Sequence, residues 1–162
     1  MSIVEITVTV MILGILAAIA SPIYSKSLVN YRLDVATQRI IQDIEQTRQV
    51  ARRTNSSQLI TFSTNDQCYK VSGIQSLDKP GQTYVVWLGN APYQCQLLFL
   101  AKADEPSVAI TNVDVTFDRF GMPNYGILLR VGTGTIQRQI FVAPISGRVS
   151  VQEVNALQAS VQ

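Results

Sequence analysis

The chain contains no histidine, and its 162 residues include only two cysteines, Cys68 and Cys95. Histidine is the commonest general base near neutral pH and the commonest metal ligand, so its absence argues against acid–base catalysis and against a metal centre. The two cysteines are too far apart for a CxxC redox motif, and a structural zinc site needs further ligands. We therefore expect no cofactor and a protein that is not an enzyme.

Charged residues are also scarce, at 15% of the chain against 47% hydrophobic residues. This hydrophobic content is too high for a disordered protein, and the length suits one folded domain with an appendage. The net charge of +2 is too small to predict a nucleic-acid partner by itself.

An apolar stretch without charge covers residues 6–20, where only two threonines and Gly14 interrupt the large apolar residues and alanines. As a helix, about twenty residues would cross a bilayer of roughly 30 Å. Three interpretations are open: a cleavable signal peptide, a simple membrane anchor, and a helix that packs against neighbouring copies. A signal peptide should begin with a basic segment, whereas this chain has the acid Glu5 there.

Glu5 favours the third interpretation. A carboxylate in a membrane-length segment is costly unless it is paired, and a simple anchor leaves it unexplained. If Met1 is the mature N terminus, its ammonium group lies one helical turn from Glu5. A neighbouring chain shifted along the helix axis would then bring its own ammonium to this carboxylate and set the register between subunits.

The stretch from Glu5 through the letters GILAAIASP, which ends at Pro22, resembles the N-terminal segment of mature type IV pilins and pseudopilins. The resemblance implies that a prepilin peptidase removes a leader, that residue 1 is N-methylated, and that Glu5 guides docking into a filament. It also implies a kink or unwound stretch at Pro22, near Gly14, which lowers helix propensity. The family usually has phenylalanine at residue 1, and Met1 departs from it.

The same resemblance implies partners and a location. Copies would form a helical filament, held in the bacterial inner membrane before assembly and then in an extracellular pilus or a periplasmic pseudopilus. Prepilin peptidase, the assembly machinery and other minor pilins would be further partners. In an exported head we expect Cys68 and Cys95 to form a disulfide, worth roughly 3 kcal/mol in the chain-entropy model. Two buried free thiols are the alternative.

Residue periodicity predicts the fold. Residues 1–23 are apolar all round and predict a transmembrane or filament-core helix, while residues 24–54 are amphipathic and predict its continuation, packed on a head. Residues 55–162 contain short β-like runs separated by turn sequences, such as residues 78–81. The expected class is therefore α+β, with one long N-terminal α-helix packed on an antiparallel β-sheet head.

Two segments of the head support a narrower resemblance. Residues 117–123, FDRFGMP, and residues 145–151, ISGRVSV, resemble the head of GspH/FimT-like pilins. Arg48, Ala51 and Arg52 fit the same group loosely. The group includes the H-type pseudopilin of type II secretion and certain minor pilins that take up DNA.

The alternative of a DNA-binding minor pilin depends on arginines in the head. FimT-like proteins have a second arginine two residues after a Gly-Arg pair, and here Ser150 stands at that place. Four arginines would contact phosphates if they gathered on one face of the head. They are Arg119, Arg130, Arg138 and Arg148. The competing interpretation is a solvated surface, and nucleic acid is not the expected partner.

The remaining candidate motifs predict turns and surface charges. Glu105, Asp114 and Asp118 could act as acid–base carboxylates, but we interpret them as solvated. Residues 132–135, GTGT, lack the ending of a phosphate loop and predict a hairpin turn. We therefore predict a structural subunit of a type IV pilus-like filament. The alternatives are a low-copy H-type pseudopilin, a FimT-like DNA-uptake minor pilin and, from another class, a membrane-anchored exported enzyme.

Overall fold

The computed structural model describes residues 2–75, 81–133 and 136–155. The chain divides into two compact units, Met1–Tyr31 and Arg32–Gln162. Met1, most of the turn predicted at residues 78–81 and the second half of the GTGT turn lie outside the described residues.

One helix, α1, spans Ile3–Thr54. It continues through Gly14 and Pro22, so the unwound stretch expected at Pro22 is not present. Proline removes one backbone donor and crowds the preceding turn. The residues on both sides nevertheless keep helical hydrogen bonding, and the loss of one donor is not enough to break a ladder this long.

The end of α1 is a capped helix terminus. Asn55 has a φ of 52°, the left-handed conformation that asparagine tolerates at this position. Ser56 N donates to Ala51 O at 3.2 Å, which satisfies one of the last carbonyls. Arg52 and Arg53 lie in the last turn, where positive charge complements the helix dipole. The helix thus ends at Thr54, directly before the Asn-Ser-Ser sequence.

Eight strands follow the helix and form two antiparallel four-stranded sheets in the described part of the chain. Sheet A has the order β3-β2-β1-β5, and sheet B has the order β4-β6-β7-β8. The strands are β1 (Gln58–Ser63), β2 (Cys68–Gln75), β3 (Thr83–Trp87), β4 (Gln96–Lys102), β5 (Asn112–Phe117), β6 (Ile127–Thr133), β7 (Ile136–Val142) and β8 (Val149–Asn155).

The long helix packed on antiparallel β structure confirms the predicted class, and the β structure is divided between two sheets. A tight turn connects β7 to β8. Gly147 N donates to Ala143 O at 2.9 Å within this turn, and Gly147 has a φ of 63°. An alternating pattern predicts strands but does not reveal which strands pair, so it could not separate the two sheets.

The core lies between the second half of α1 and the inward faces of both sheets. Buried helix positions recur every three or four residues from Leu33 to Ala51, as in an amphipathic helix. The strands alternate instead: in β5, Val113, Val115 and Phe117 are buried and the residues between them are not. Helix and sheets thus share one apolar cluster.

Candidate functional site

The first half of α1 presents a continuous apolar surface. Its large side chains are exposed from Ile3, at 81%, to Ile23, at 64%. A soluble monomer rarely exposes so much contiguous apolar surface. Among the described residues, α1 is the one helix long and apolar enough to cross a membrane. This surface therefore needs a partner, whether lipid or protein.

The hydroxyl groups of this segment are satisfied within the helix itself. Thr7 Oγ1 donates to Val4 O at 2.8 Å, and Thr9 Oγ1 donates to Glu5 O at 2.7 Å. Ser25 Oγ likewise donates to Ser21 O at 2.8 Å. Polar groups satisfied in this way are tolerated in apolar surroundings, where no water replaces a missing partner.

The carboxylate of Glu5, unlike these hydroxyl groups, is not satisfied within the described part of its own helix. None of the four ion pairs found among the described residues includes it. The partner expected for it is the Met1 amine of a neighbouring copy, and Met1 lies outside the described residues. Gly14 also has space around it, because a Cβ added there would meet no atom within 4 Å. The described part of the chain thus contains no partner for the Glu5 carboxylate and no packing reason for Gly14.

In the second unit, Asp43 is a buried carboxylate that joins α1 to sheet A. It is 3% exposed, and its Oδ2 accepts hydrogen bonds from Tyr69 OH at 2.5 Å and from Tyr84 OH at 3.0 Å. Arg39 Nε contributes a third contact at 3.3 Å, and Arg39 also donates to the Tyr84 hydroxyl. A buried charge is stable when it is paired and hydrogen-bonded in this way.

The surroundings of this network keep its phenols neutral. Burial raises the pKa of Tyr69 far above its ordinary value, and the adjacent Asp43 carboxylate raises it further. Burial also raises the pKa of Tyr84 to about 12, against the opposing hydrogen bond from Arg39. The hydrogen bond with Tyr84 raises the pKa of Arg39, so the guanidinium stays charged. The two phenols and the guanidinium of the network therefore exchange no protons near neutral pH, and the network is a fixed attachment.

Sequence reasoning missed this network, although a signal was present. Asp43 lies three residues after Ile40 and four residues before Thr47, so it occupies the buried face of the amphipathic helix. An acid at that position requires a donor from another element.

Arg48 forms a second attachment, at the end of α1. It is 9% exposed, and its Nη1 contacts both carboxylate oxygens of Glu45 at 2.7 and 2.8 Å. Its Nε donates to Gly121 O at 3.3 Å, and its Nη2 donates to Ser146 O at 2.9 Å. Arg52 Nε donates to Phe120 O at 2.7 Å. These bonds bring together the three segments on which the GspH/FimT-like resemblance depends.

Glycines are required at this junction. Gly121 and Gly147 have φ values of 72° and 63°, which residues with a side chain rarely adopt. A Cβ at Gly147 would lie 2.9 Å from Arg48 Nε, and one at Gly121 would lie 2.6 Å from Arg52 Nε. The two loops can approach the helix because neither glycine has a side chain.

The three candidate carboxylates have separate positions and separate roles. Asp118 Oδ1 accepts from the backbone N–H groups of Phe120 and Met122 at 2.9 and 2.8 Å, so it shapes the loop after β5. Asp114 Oδ1 accepts from the Thr61 hydroxyl at 2.7 Å across β1 and β5. Glu105 is exposed in the loop between β4 and β5. No group of three possible metal ligands occurs among the described residues.

The four candidate arginines do not gather on one face. In the β6–β7 register Arg130 pairs with Gln139 and Val131 pairs with Arg138, so Arg130 and Arg138 point to opposite faces of sheet B. Arg138 Nη2 is held by two carboxylates, Asp34 at 3.1 Å and Glu153 at 2.9 Å.

The other two candidate arginines lie in loops. Arg119 is exposed and lies over the Phe120 ring at 4.9 Å, and Arg148 is exposed just before β8. These four residues therefore do not form the phosphate-binding face that the DNA alternative requires.

The expected disulfide is not present: Cys68 and Cys95 are both free and buried. Cys95 belongs to the core cluster together with Tyr69, whereas Cys68 does not. Because neighbouring strand residues point to opposite faces, Cys68 lies on the face of sheet A opposite Tyr69. Burial raises the pKa of the Cys95 thiol to about 11 and also raises the pKa of Cys68. Both thiols are therefore protonated and unreactive near neutral pH.

The fold is similar to a solved protein of known class. A crystal structure of the type IV minor pilin FimU from Pseudomonas aeruginosa PAO1 matches with a TM-score of 0.52 and 11% identity, covering 76% of this chain and 90% of that one. A second crystal form of FimU gives a TM-score of 0.49 and 11% identity over 74% and 92%. No family model matches the chain, and a search of curated proteins found no significant relative. At this identity the comparison shows a pilin-like fold and nothing further.

Proposed function

We propose that the chain is a structural subunit of a type IV pilus-like filament. The observation that carries the proposal is the first half of α1, whose apolar side chains are exposed all round and whose one carboxylate, Glu5, has no partner among the described residues. The pilin-like fold, matched over 76% of the chain, supports it. Before assembly this segment would lie in the bacterial inner membrane, and afterwards in the filament core.

Assembly would proceed by bundling of these helices. The carboxylate of Glu5 would meet the N-terminal amine of a neighbouring copy, after a prepilin peptidase has exposed Met1 and the amine has been methylated. An unpaired acid costs about 2.5–3.5 kcal/mol at the centre of a membrane-spanning helix and less toward its ends, where Glu5 lies, so pairing favours the assembled position over the lipid. Gly14 and Pro22 lie on the surface that would face neighbouring helices or lipid.

A low-copy role is the second candidate. The similar solved structure is a minor pilin, and the contacts of Arg48 join the segments that resemble GspH/FimT-like heads. An H-type pseudopilin of type II secretion would share these features. DNA uptake has less support, because Arg130 and Arg138 point to opposite faces and Ser150 replaces the second arginine of the motif. An exported enzyme has no converging catalytic groups in its favour among the described residues.

The decisive experiment replaces Glu5. We expect Glu5→Gln and Glu5→Ala to leave the head folded and membrane insertion normal but to remove most filaments, counted by electron microscopy of sheared cell-surface material. Thr7→Val is the matched control, because the Thr7 hydroxyl is satisfied within its own helix and needs no partner. Filaments at wild-type yield from both Glu5 variants would refute the pairing mechanism.

Mass spectrometry of the purified filaments separates the two candidates. A filament composed mainly of this chain, with methylated Met1, supports a major subunit. A trace amount of this chain within a filament of another pilin supports a minor subunit.

A further inference from the structure

The strand β3 leaves one edge of sheet A open. It is the outer strand of that sheet, and among the described residues only β2 pairs with it. Its sequence, Thr-Tyr-Val-Val-Trp, favours extended structure and contains neither a charge nor a proline. Natural sheets commonly carry charged residues or prolines on their edge strands, which prevents pairing with other chains. This edge has neither form of protection.

The hydrogen-bond pattern identifies the open backbone groups. Leu88 N donates to Gln67 O at 2.9 Å, next to the last β2–β3 pair. Hydrogen-bonded and non-hydrogen-bonded pairs alternate along an antiparallel ladder, so Val86 turns its backbone groups toward β2. Val85 and Trp87 then turn theirs outward, and no described residue outside the ladder bonds to them.

A groove of about 320 Å³ lies beside this edge, and one of the side chains that line it is positively charged. Arg39 and Tyr93 line it together with β3. The Arg39 Nε and Nη2 atoms are held by Asp43 and Tyr84, whereas no described residue accepts a hydrogen bond from Nη1. The Arg39 side chain is 42% exposed, so a carboxylate on an added strand can reach it.

Among the described residues, the strand β8 is an outer strand of sheet B and pairs only with β7. The other outer strands, β4 and β5, lie against each other. Ala143 N donates to Arg148 O at 2.9 Å, and alternation from this bond turns the backbone groups of Val149, Val151 and Glu153 outward. The Glu153 side chain is 77% exposed, although it also contacts Arg138 of its own sheet.

We propose that β8 of one copy adds to the β3 edge of the next copy, with the Glu153 carboxylate at Arg39. The inference rests on the proposed filament, which supplies a second copy at high local concentration. Main-chain hydrogen bonds provide the pairing, and the carboxylate–guanidinium contact sets its position along the edge. Because two different patches meet, the contact repeats as an open chain of heads and does not close into a dimer.

Trp87 provides the assay, because it is the only tryptophan of the chain and is 50% exposed on the β3 edge. The probe is a synthetic peptide of residues 149–155, VSVQEVN, added to the full-length protein in detergent. We expect a saturable blue shift of tryptophan emission, because the added strand removes water from Trp87. A peptide with glutamine in place of Glu153 should bind severalfold more weakly.

Val85 offers a matched pair of variants. Val85→Pro removes one outward donor, and proline is tolerated where the backbone nitrogen faces solvent, so circular dichroism should remain that of wild type. Peptide binding should weaken about tenfold, whereas Val85→Thr keeps the donor and should bind normally. If Val85→Pro fails to fold, a peptide N-methylated at Val151 removes the facing donor and tests wild-type protein.

The outcomes separate this inference from the proposed function. An equal shift with a scrambled peptide, or no shift at millimolar VSVQEVN, overturns strand addition. Wild-type filaments from folded Val85→Pro also overturn it and leave the filament function standing. Normal peptide binding by a chain that is never found in filaments refutes the proposed function instead.

Discussion

Replacing Arg48 by methionine should loosen the junction between the end of α1 and two loops of the head. The side chain is almost fully buried, and its two outer bonds end on Gly121 O and Ser146 O. Methionine fills similar space but donates no hydrogen bond, so both carbonyls lose a charged partner. Leaving a buried acceptor unpaired costs about 1–3 kcal/mol, and this penalty applies to Gly121, which is buried, whereas water can replace the bond to the exposed Ser146. The contact with Glu45 adds little, because that carboxylate is 40% exposed.

The measurement is thermal unfolding of the full-length protein in detergent, followed by Trp87 emission, which reports on the head. A loss of this size corresponds to a fall in Tm on the order of 10 °C for a head of this length. Arg48→Lys keeps the charge but lacks the fork that reaches both carbonyls, so we expect an intermediate Tm.

Arg53→Met is the control, because Arg53 is exposed near the end of the same helix and is in none of the ion pairs found among the described residues. We expect its Tm to equal that of wild type. Equal Tm values for Arg48→Met and Arg53→Met would refute the argument that the Arg48 bonds hold the loops.

Four further predictions concern the head. Tyr69→Phe removes one of three donors to the buried carboxylate and should lower the free energy of unfolding by about 1–2 kcal/mol, measured by urea titration; an unchanged midpoint would contradict it. Cys68 and Cys95 should react with a thiol reagent only after unfolding, and finding no thiol in the denatured, unreduced protein would refute this. The raised pKa of Cys95 favours the folded state while the thiol is protonated, so stability should fall as pH rises from about 9 to about 11, less so in Cys95→Ala. Gly147→Ala should destabilise the head, because its Cβ would meet a guanidinium at 2.9 Å in a strained conformation; a wild-type Tm would count against this.

The helix and the β-rich head could be predicted because they depend on local patterns. Residues 24–54 repeat apolar side chains at helical spacing, and Asn55 ends the helix where its conformation allows the cap. The strand-like runs after it alternate because one face of each sheet is buried. These signals lie within a few residues of each other and need no knowledge of the tertiary fold.

Features that depend on pairing between distant residues could not be predicted. Arg130 and Arg138 are close in sequence, yet the β6–β7 register decides that they face opposite ways. Cys68 and Cys95 were expected to meet, but side chains alternate along β2, and Cys68 lies on the face that points away from the core cluster. Asp43 showed a helical position on the buried face, whereas its partner Tyr69 comes from a strand that no local pattern connects to it.

Three polar attachments along the second half of α1 have a mechanical consequence. Asp34 contacts Arg138 of β7, Asp43 is held by β2 and β3, and Arg48 is held by the loops beyond β5 and β7. A force along the helix axis would act on all three contacts at once, because they lie at successive positions along one helix. Bonds that share a load in parallel withstand more force than bonds that break one after another. The head should therefore resist shear along its helix better than peeling away from it.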